Sequence, residues 1–149
     1  MTHIKTAVIV LITAMILSLV LTYASILSIV QFTKGNTERV LDSFIIQNSI
    51  NIYASIKNGN DYTGSISKEK FITAFTEDNT LDNDGNYFYN KDSDGNVIYT
   101  LTMPDTDFTV DNTLNLTCRL QVLIPIYFAG KQVTQLSIPV IVTSSYKLK

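Results

Sequence analysis

The run Ala7–Val30 constrains this chain more than any other feature, because it contains no charged residue, no Pro and no Gly. As a helix rising ~1.5 Å per residue it would be roughly 36 Å long, enough to cross a ~30 Å hydrocarbon core with some tilt. The rest of the chain is then tethered to a bilayer. A cleaved signal peptide is the competing reading, with Thr22-Tyr23-Ala24 as an acceptable small-residue site before Ser25. Against it, Ile26, Leu27, Ile29 and Val30 prolong the run past the ~7–15 residues of a usual signal core. Lys5 precedes the run and Lys34 and Arg39 come after it, so charge asymmetry orients it only weakly. The short first flank and the large polar, acidic remainder favour a cytoplasmic N-terminus and an exported C-terminal part.

The chain has 149 residues, so a single small domain comes after the anchor. Between Glu77 and Asp111 the acids Glu77, Asp78, Asp82, Asp84, Asp92, Asp94, Asp105, Asp107 and Asp111 face only Lys91. That stretch would repel anionic surfaces, which argues against nucleic acid as a partner. Cys118 is the only cysteine and His3 the only histidine. An intrachain disulfide is therefore impossible, and a Ser-His or Cys-His pair cannot form in the exported part. No Gly-rich phosphate loop is present, and the composition points away from an enzyme. Asn115-Leu116-Thr117 is a formal glycosylation sequon, read as chance in a chain this rich in Asn and Thr.

Helical periodicity resumes beyond the anchor. Leu41, Phe44, Ile45, Ile52 and Ile56 define one apolar stripe, with Asn48 on it and Thr37, Glu38, Arg39, Asp42, Gln47 and Asn51 mostly off it. Lys57-Asn58-Gly59 is a good stop. Either one helix runs from about Ile4 to Lys57, with a possible kink at Gly35, or Lys34-Gly35-Asn36 breaks it in two. One helix is the preferred reading, since an interior Gly bends a helix more often than it ends one. Ser67, with Glu69 in the first turn, predicts a short capped helix carrying Phe71, Ile72 and Phe75.

The period then changes to two. Tyr87–Tyr89 and Val97–Leu101, separated by an Asp- and Gly-rich turn, predict a hairpin whose second strand ends at Pro104. Leu114, Leu116, Cys118, Leu120, Val122, Ile124, Ile126 and Phe128 point one way, with Asn115, Thr117, Arg119 and Gln121 pointing the other, and Leu136, Ile138, Val140 and Val142 repeat the pattern after a turn at Ala129–Gln132. These predict a long antiparallel hairpin with one buried face. Pro125 and Pro139 each need an edge position or a bulge. Laying the amphipathic half of the helix on that face completes an α+β fold. The expected divisions are a tail at 1–6, a transmembrane helix at 7–30, its amphipathic continuation at 31–58 and an α+β domain with an antiparallel sheet at 59–149.

This build resembles the type IV pilin and pseudopilin superfamily, and within it the TadE-like pilus-assembly proteins. The resemblance is carried by Gln31–Asp42 just past the anchor and by Ile124-Pro125-Ile126-Tyr127-Phe128-Ala129-Gly130 with Ile138-Pro139-Val140. It implies a non-catalytic structural subunit of a pilus-assembly or secretion apparatus at the plasma membrane. Such a subunit crosses the bilayer once and packs against other pilin-like subunits or assembly proteins through its N-terminal helix. No acidic residue occurs before Glu38 and no Gly precedes the apolar run, which points to an unprocessed assembly component. The alternative is a single-pass tethered extracellular module for binding or sensing.

Two weaker signals remain. Asp82, Asp84, Asp92 and Asp94 place oxygen ligands at alternate positions, a pattern open to calcium but also ordinary turn chemistry. Tyr53, Tyr62, Tyr87, Tyr89, Tyr99, Tyr127 and Tyr146 suit an adhesive surface, or simply strands.

Overall fold

The computed structural model of the chain describes residues 1–61 and 66–147. Its first element is one helix, α1, Thr2–Lys57. No proline interrupts it, and Gly35 sits on its exposed side with open space where a Cβ would project. The helix therefore passes through Gly35 unbroken. It ends where the sequence predicts: Gly59 adopts φ 68°, and the N–H groups of Asn58 and Asn60 reach back to the carbonyls of Ala54 and Ser55.

A single stripe of α1 is covered. It begins half-buried at Ile26, Ile29 and Val30 and continues buried through Thr33, Thr37, Val40, Leu41, Phe44, Ile45, Ser49 and Ile52. Two expectations are corrected here. Thr37 lies on the stripe, its hydroxyl satisfied by donating to the Thr33 carbonyl at 2.8 Å. Ile56 lies off it at 39% exposure, because the helix has by then run past the sheet.

The second helix, α2, Lys68–Asp78, is capped by Ser67, whose hydroxyl accepts from the Lys70 N–H. It carries Phe71 and Phe75 inward. The strands are β1 (Asp82–Asn83), β2 (Tyr87–Lys91), β3 (Val97–Thr102), β4 (Asp105–Val110), β5 (Thr113–Phe128) and β6 (Lys131–Lys147). Every pairing is antiparallel. Both β3 and β4 pair with β5, at Leu101↔Val122 and Asp105↔Arg119 respectively. They form one interrupted strand along the same edge of β5. Pro104 breaks that strand rather than ending it, which is how the unforeseen β4 arises. Charge helps to hold β4: Asp107 pairs with Arg119 across the sheet, and Asp105 accepts from Lys68 at 2.7 Å.

The long hairpin β5–β6 forms as expected, with two adjustments. Its turn is the two-residue Ala129-Gly130, and the pairing slips at Ile126/Tyr127. Phe128 is exposed, because the hairpin's end has by then run beyond the last β3 pairing at Leu123. The prolines fit because of the register. Gln121 donates its N–H to Thr102 Oγ1, on the side away from β6, so Pro139 opposite it forfeits no bond to β5.

α1 lies across β6 and β5, with the Ser144 hydroxyl donating to Asp42. The core is the helix stripe, Phe71 and Phe75 of α2, and the inward faces of the strands, including Phe88, Leu101, Leu116, Cys118, Val122 and Val142. The four ion pairs between described residues are all solvent-exposed, and such pairs are each worth roughly 0–1 kcal/mol. Apolar burial holds this fold together.

Candidate functional surface

The first half of α1 is covered by nothing. Every residue from 1 to 25 is exposed, including Val10, Leu11, Leu17, Leu19 and Leu21. By length and composition it is a candidate membrane span near the N-terminus, and its most apolar stretch has no buried residue. Soluble proteins rarely leave a continuous apolar surface of this kind uncovered.

The uncovered rod faces the far end of the sheet across an open cleft of about 1820 Å³. One wall is a single face of α1, with Ala7, Val10, Ala14, Ser18, Leu21, Ser25 and Ile29 recurring three or four residues apart. The other wall is Ile124–Phe128 and Val133 of the hairpin, with Asp92, Asn96, Val97 and Ile98 beside them. Its size exceeds the ~300–1000 Å³ of ordinary small-molecule sites, and its walls are mainly apolar. It is a long, open, mainly apolar surface rather than an enclosed cavity.

A second, polar hollow of about 260 Å³ lies between α1, α2 and β3. Arg39 bridges Asp78 at 2.7 Å and donates to Asn36 Oδ1 at 2.9 Å, while Asn36 in turn donates to Asn79. Thr33 Oγ1 lines this hollow, buried and without a partner among the described residues. The network fixes α2 to the point where α1 meets the head.

The four aspartates of the calcium expectation are not gathered. Asp84 and Asp92 flank opposite ends of β2, which spans roughly 16 Å at strand rise. Asp82 pairs with Lys91 at 2.7 Å. The Tyr89 hydroxyl, then the N–H groups of Asn86 and Tyr87, bond Asp84 and hold its carboxyl below the usual carboxylate range. The Asn96 backbone and then its side chain do the same for Asp92, with Asp94 donating its N–H as well. Since both folded pKa values are lowered, these turns are tightest above the ordinary carboxylate range and loosen as acid protonates them. Among the described residues, no group of three or more His, Cys, Asp or Glu side chains is placed to hold a metal. The donor set thus does not fit a shared cation cage.

Of the tyrosines, Tyr99 is a core residue rather than a surface one, while Tyr53, Tyr87, Tyr127 and Tyr146 are exposed. Tyr89 is half-buried and bonded to Asp84, and Tyr62 lies outside the described residues. The sequon also falls in a strand paired on both sides, with Asn115 accepting from the Ser145 hydroxyl at 2.6 Å.

Cys118 is buried on the inner face of β5, and desolvation pushes its thiol up to about 12. The thiolate is the reactive form, so the native protein should resist maleimide at pH 8 while the unfolded chain reacts. In unfolded chain the thiol titrates near its ordinary value of 9. Between that value and about 12 the native state binds more protons, so stability should fall as pH rises, by at most ~1.4 kcal/mol per unit from this group. Cys118→Ala, followed by alkaline melting, should flatten that decline.

Compared with known protein families, with curated proteins and with solved structures, the chain matches none.

Proposed function

We propose that the chain is a membrane-anchored, pilin-like structural component of a pilus-assembly or secretion apparatus, without catalytic activity. In this reading α1 crosses the plasma membrane once from a cytoplasmic N-terminus, and the head stands outside. The observation that supports it is the continuity of α1: one rod is apolar and bare in its first half and forms the spine of the folded head in its second. A tethered binding or sensing module needs no such rigid coupling and would work as well on a flexible linker. An apolar rod fixed to its head can be stored in lipid and later packed against other rods, since lipid and helix bundles both accept the same apolar face.

The test is a photo-crosslinking residue at Ala14 in the full chain, expressed in its own membranes. Adducts to a second copy, or to other chains with a single N-terminal apolar helix, are the expected result. Adducts to lipid alone would remove the assembly role and leave the tethered module. Release of the intact chain by alkaline carbonate would remove the anchor itself.

A further inference from the structure

The lining of the polar hollow between α1, α2 and β3 falls into two sets. One set is spent on itself. Arg39 donates to Asp78 and to Asn36 Oδ1, Asn36 donates to Asn79, and Asn79 donates to the Phe75 carbonyl at 2.7 Å. These bonds fix the walls. They also cancel charge, since Arg39 and Asp78 are the only charged residues among those that line the hollow.

The other set is unspent. Thr33 of α1 is 3% exposed, and its hydroxyl has no partner among the described residues. Tyr99 of β3 is 5% exposed, and its hydroxyl likewise bonds to no described residue. Burial alone raises the Tyr99 pKa, with no bonded group contributing. Asn90 of β2 pairs with Tyr99, so the two side chains stand next to each other on one face of the sheet. The Asn90 amide is half-buried and is also unbonded among the described residues. Buried polar groups are nearly always satisfied, by protein, by ordered water or by a ligand. Here two buried hydroxyls and an amide, from elements distant in sequence, converge on one hollow without bonding to each other.

The chemistry of the missing partner follows from this set. Hydroxyl and amide groups both donate and accept, so the best complement is a ligand whose own groups do both. An ionic ligand finds no free counter-charge, because Arg39 and Asp78 already neutralise each other. Phe75, Leu81 and Leu101 add an apolar wall. A sugar ring combines hydroxyls at its rim with an apolar C–H face. At about 260 Å³ the hollow has room for about nine waters at ~30 Å³ each. That is just under the ~300 Å³ at which ordinary small-molecule sites begin, so it suits one ring and not several.

We propose that this hollow binds one neutral sugar ring, either a free monosaccharide or the end residue of a glycan. Thr33, Tyr99 and Asn90 bond its hydroxyls, and Phe75, Leu81 and Leu101 meet its C–H face. This goes beyond the assembly role and does not depend on it, because every residue of the hollow lies in the covered half of α1 or in the head.

The test uses the full chain in a detergent without a sugar headgroup. Saturation-transfer NMR is run with glucose, galactose, mannose and N-acetylglucosamine at millimolar concentration, each as the free sugar and as its methyl glycoside, with glycine as the charged comparison. The expected result is saturation of at least one ring and none of glycine. Equal binding of free sugar and methyl glycoside marks a glycan end, and loss on methylation marks a free sugar. Tyr99→Phe and Thr33→Val should each weaken the binding by about 3–10-fold. Without sugar both variants should melt no lower than the parent, since neither hydroxyl has a protein partner to lose. Saturation of none of the rings would overturn the proposal, as would saturation undiminished in both variants, which would place the sugar elsewhere. Lower melting of both variants without sugar would show that fixed waters already serve these hydroxyls, and would also overturn it. Saturation of glycine in place of the sugars would mean that the Arg39–Asp78 pair opens to a zwitterion, and the neutral-ring assignment would fall.

Discussion

A chain beginning at Ile26 is expected to be soluble without detergent and to melt cooperatively, whereas one beginning at Ile46 is expected not to fold. The first cut removes only residues that touch no core, because everything before Ile26 is exposed. The second also removes Val40, Leu41, Phe44 and Ile45, all of them nearly or fully buried. Truncating one such side chain to Ala costs about 2–5 kcal/mol, so losing four costs as much as the whole stability of a typical domain, roughly 5–15 kcal/mol. Circular dichroism melts and gel filtration of the two products check this. Equal cooperativity in both would mean that α1 is a mere leash, and the rod-and-head reading would go with it. A start-26 chain that unfolds would show instead that the bare half of α1 contributes to the head.

The parts legible in the sequence were those in which residue type and burial agree. Leu41, Phe44, Ile45 and Ile52 are apolar and buried, and the β5 alternation from Leu114 to Ile124 is kept inward without a break. The parts missed are those where tertiary contacts reassign a residue. Thr33 and Thr37 look polar but lie under the sheet, and only the local bond from Thr37 to the Thr33 carbonyl makes the second of them inexpensive to bury. In β4, Thr106, Phe108 and Val110 do alternate with polar residues, but Asp105 and Asp107 are poor strand formers. Their partners Lys68 and Arg119 are distant in sequence, so propensity alone could not reveal the strand. Phe128 fails for a different reason: the hairpin's end runs beyond the last β3 pairing at Leu123, so no core lies under it, which a period-two count cannot detect. The candidate surface was half legible. The apolar run announced itself, whereas the hairpin wall opposite it emerged only once the register was known.

Phe71→Ala is expected to destabilise the head by about 3–5 kcal/mol, the usual range for removing a fully buried aromatic ring. Phe71 sits at the middle of a chain of rings: edge-on to Phe44 of α1 at 5.4 Å and beside Phe75 at 6.1 Å, which in turn meets Phe88 of β2 edge-on at 5.1 Å. α2 has only 11 residues, too short to be stable alone, so its docking depends on these rings. For a head of this size the loss should lower the melting midpoint by about 12 °C or more. Ile141→Ala, at a position 58% exposed on β6, should stay within about 0.5 kcal/mol and serves as the control. A double-mutant cycle between Phe44 and Phe71 should return a coupling of about 0.5–1.5 kcal/mol. A coupling near zero would mean that α2 does not grip α1 through this ring pair. The pair matters beyond stability, because α2 also holds α1 through Arg39–Asp78 and Asn36–Asn79, next to where the covered stripe gives way to the bare rod. Phe71→Ala should therefore raise amide exchange around Thr33–Val40 more than at Ile52, freeing the rod at its exit from the head before the sheet itself yields.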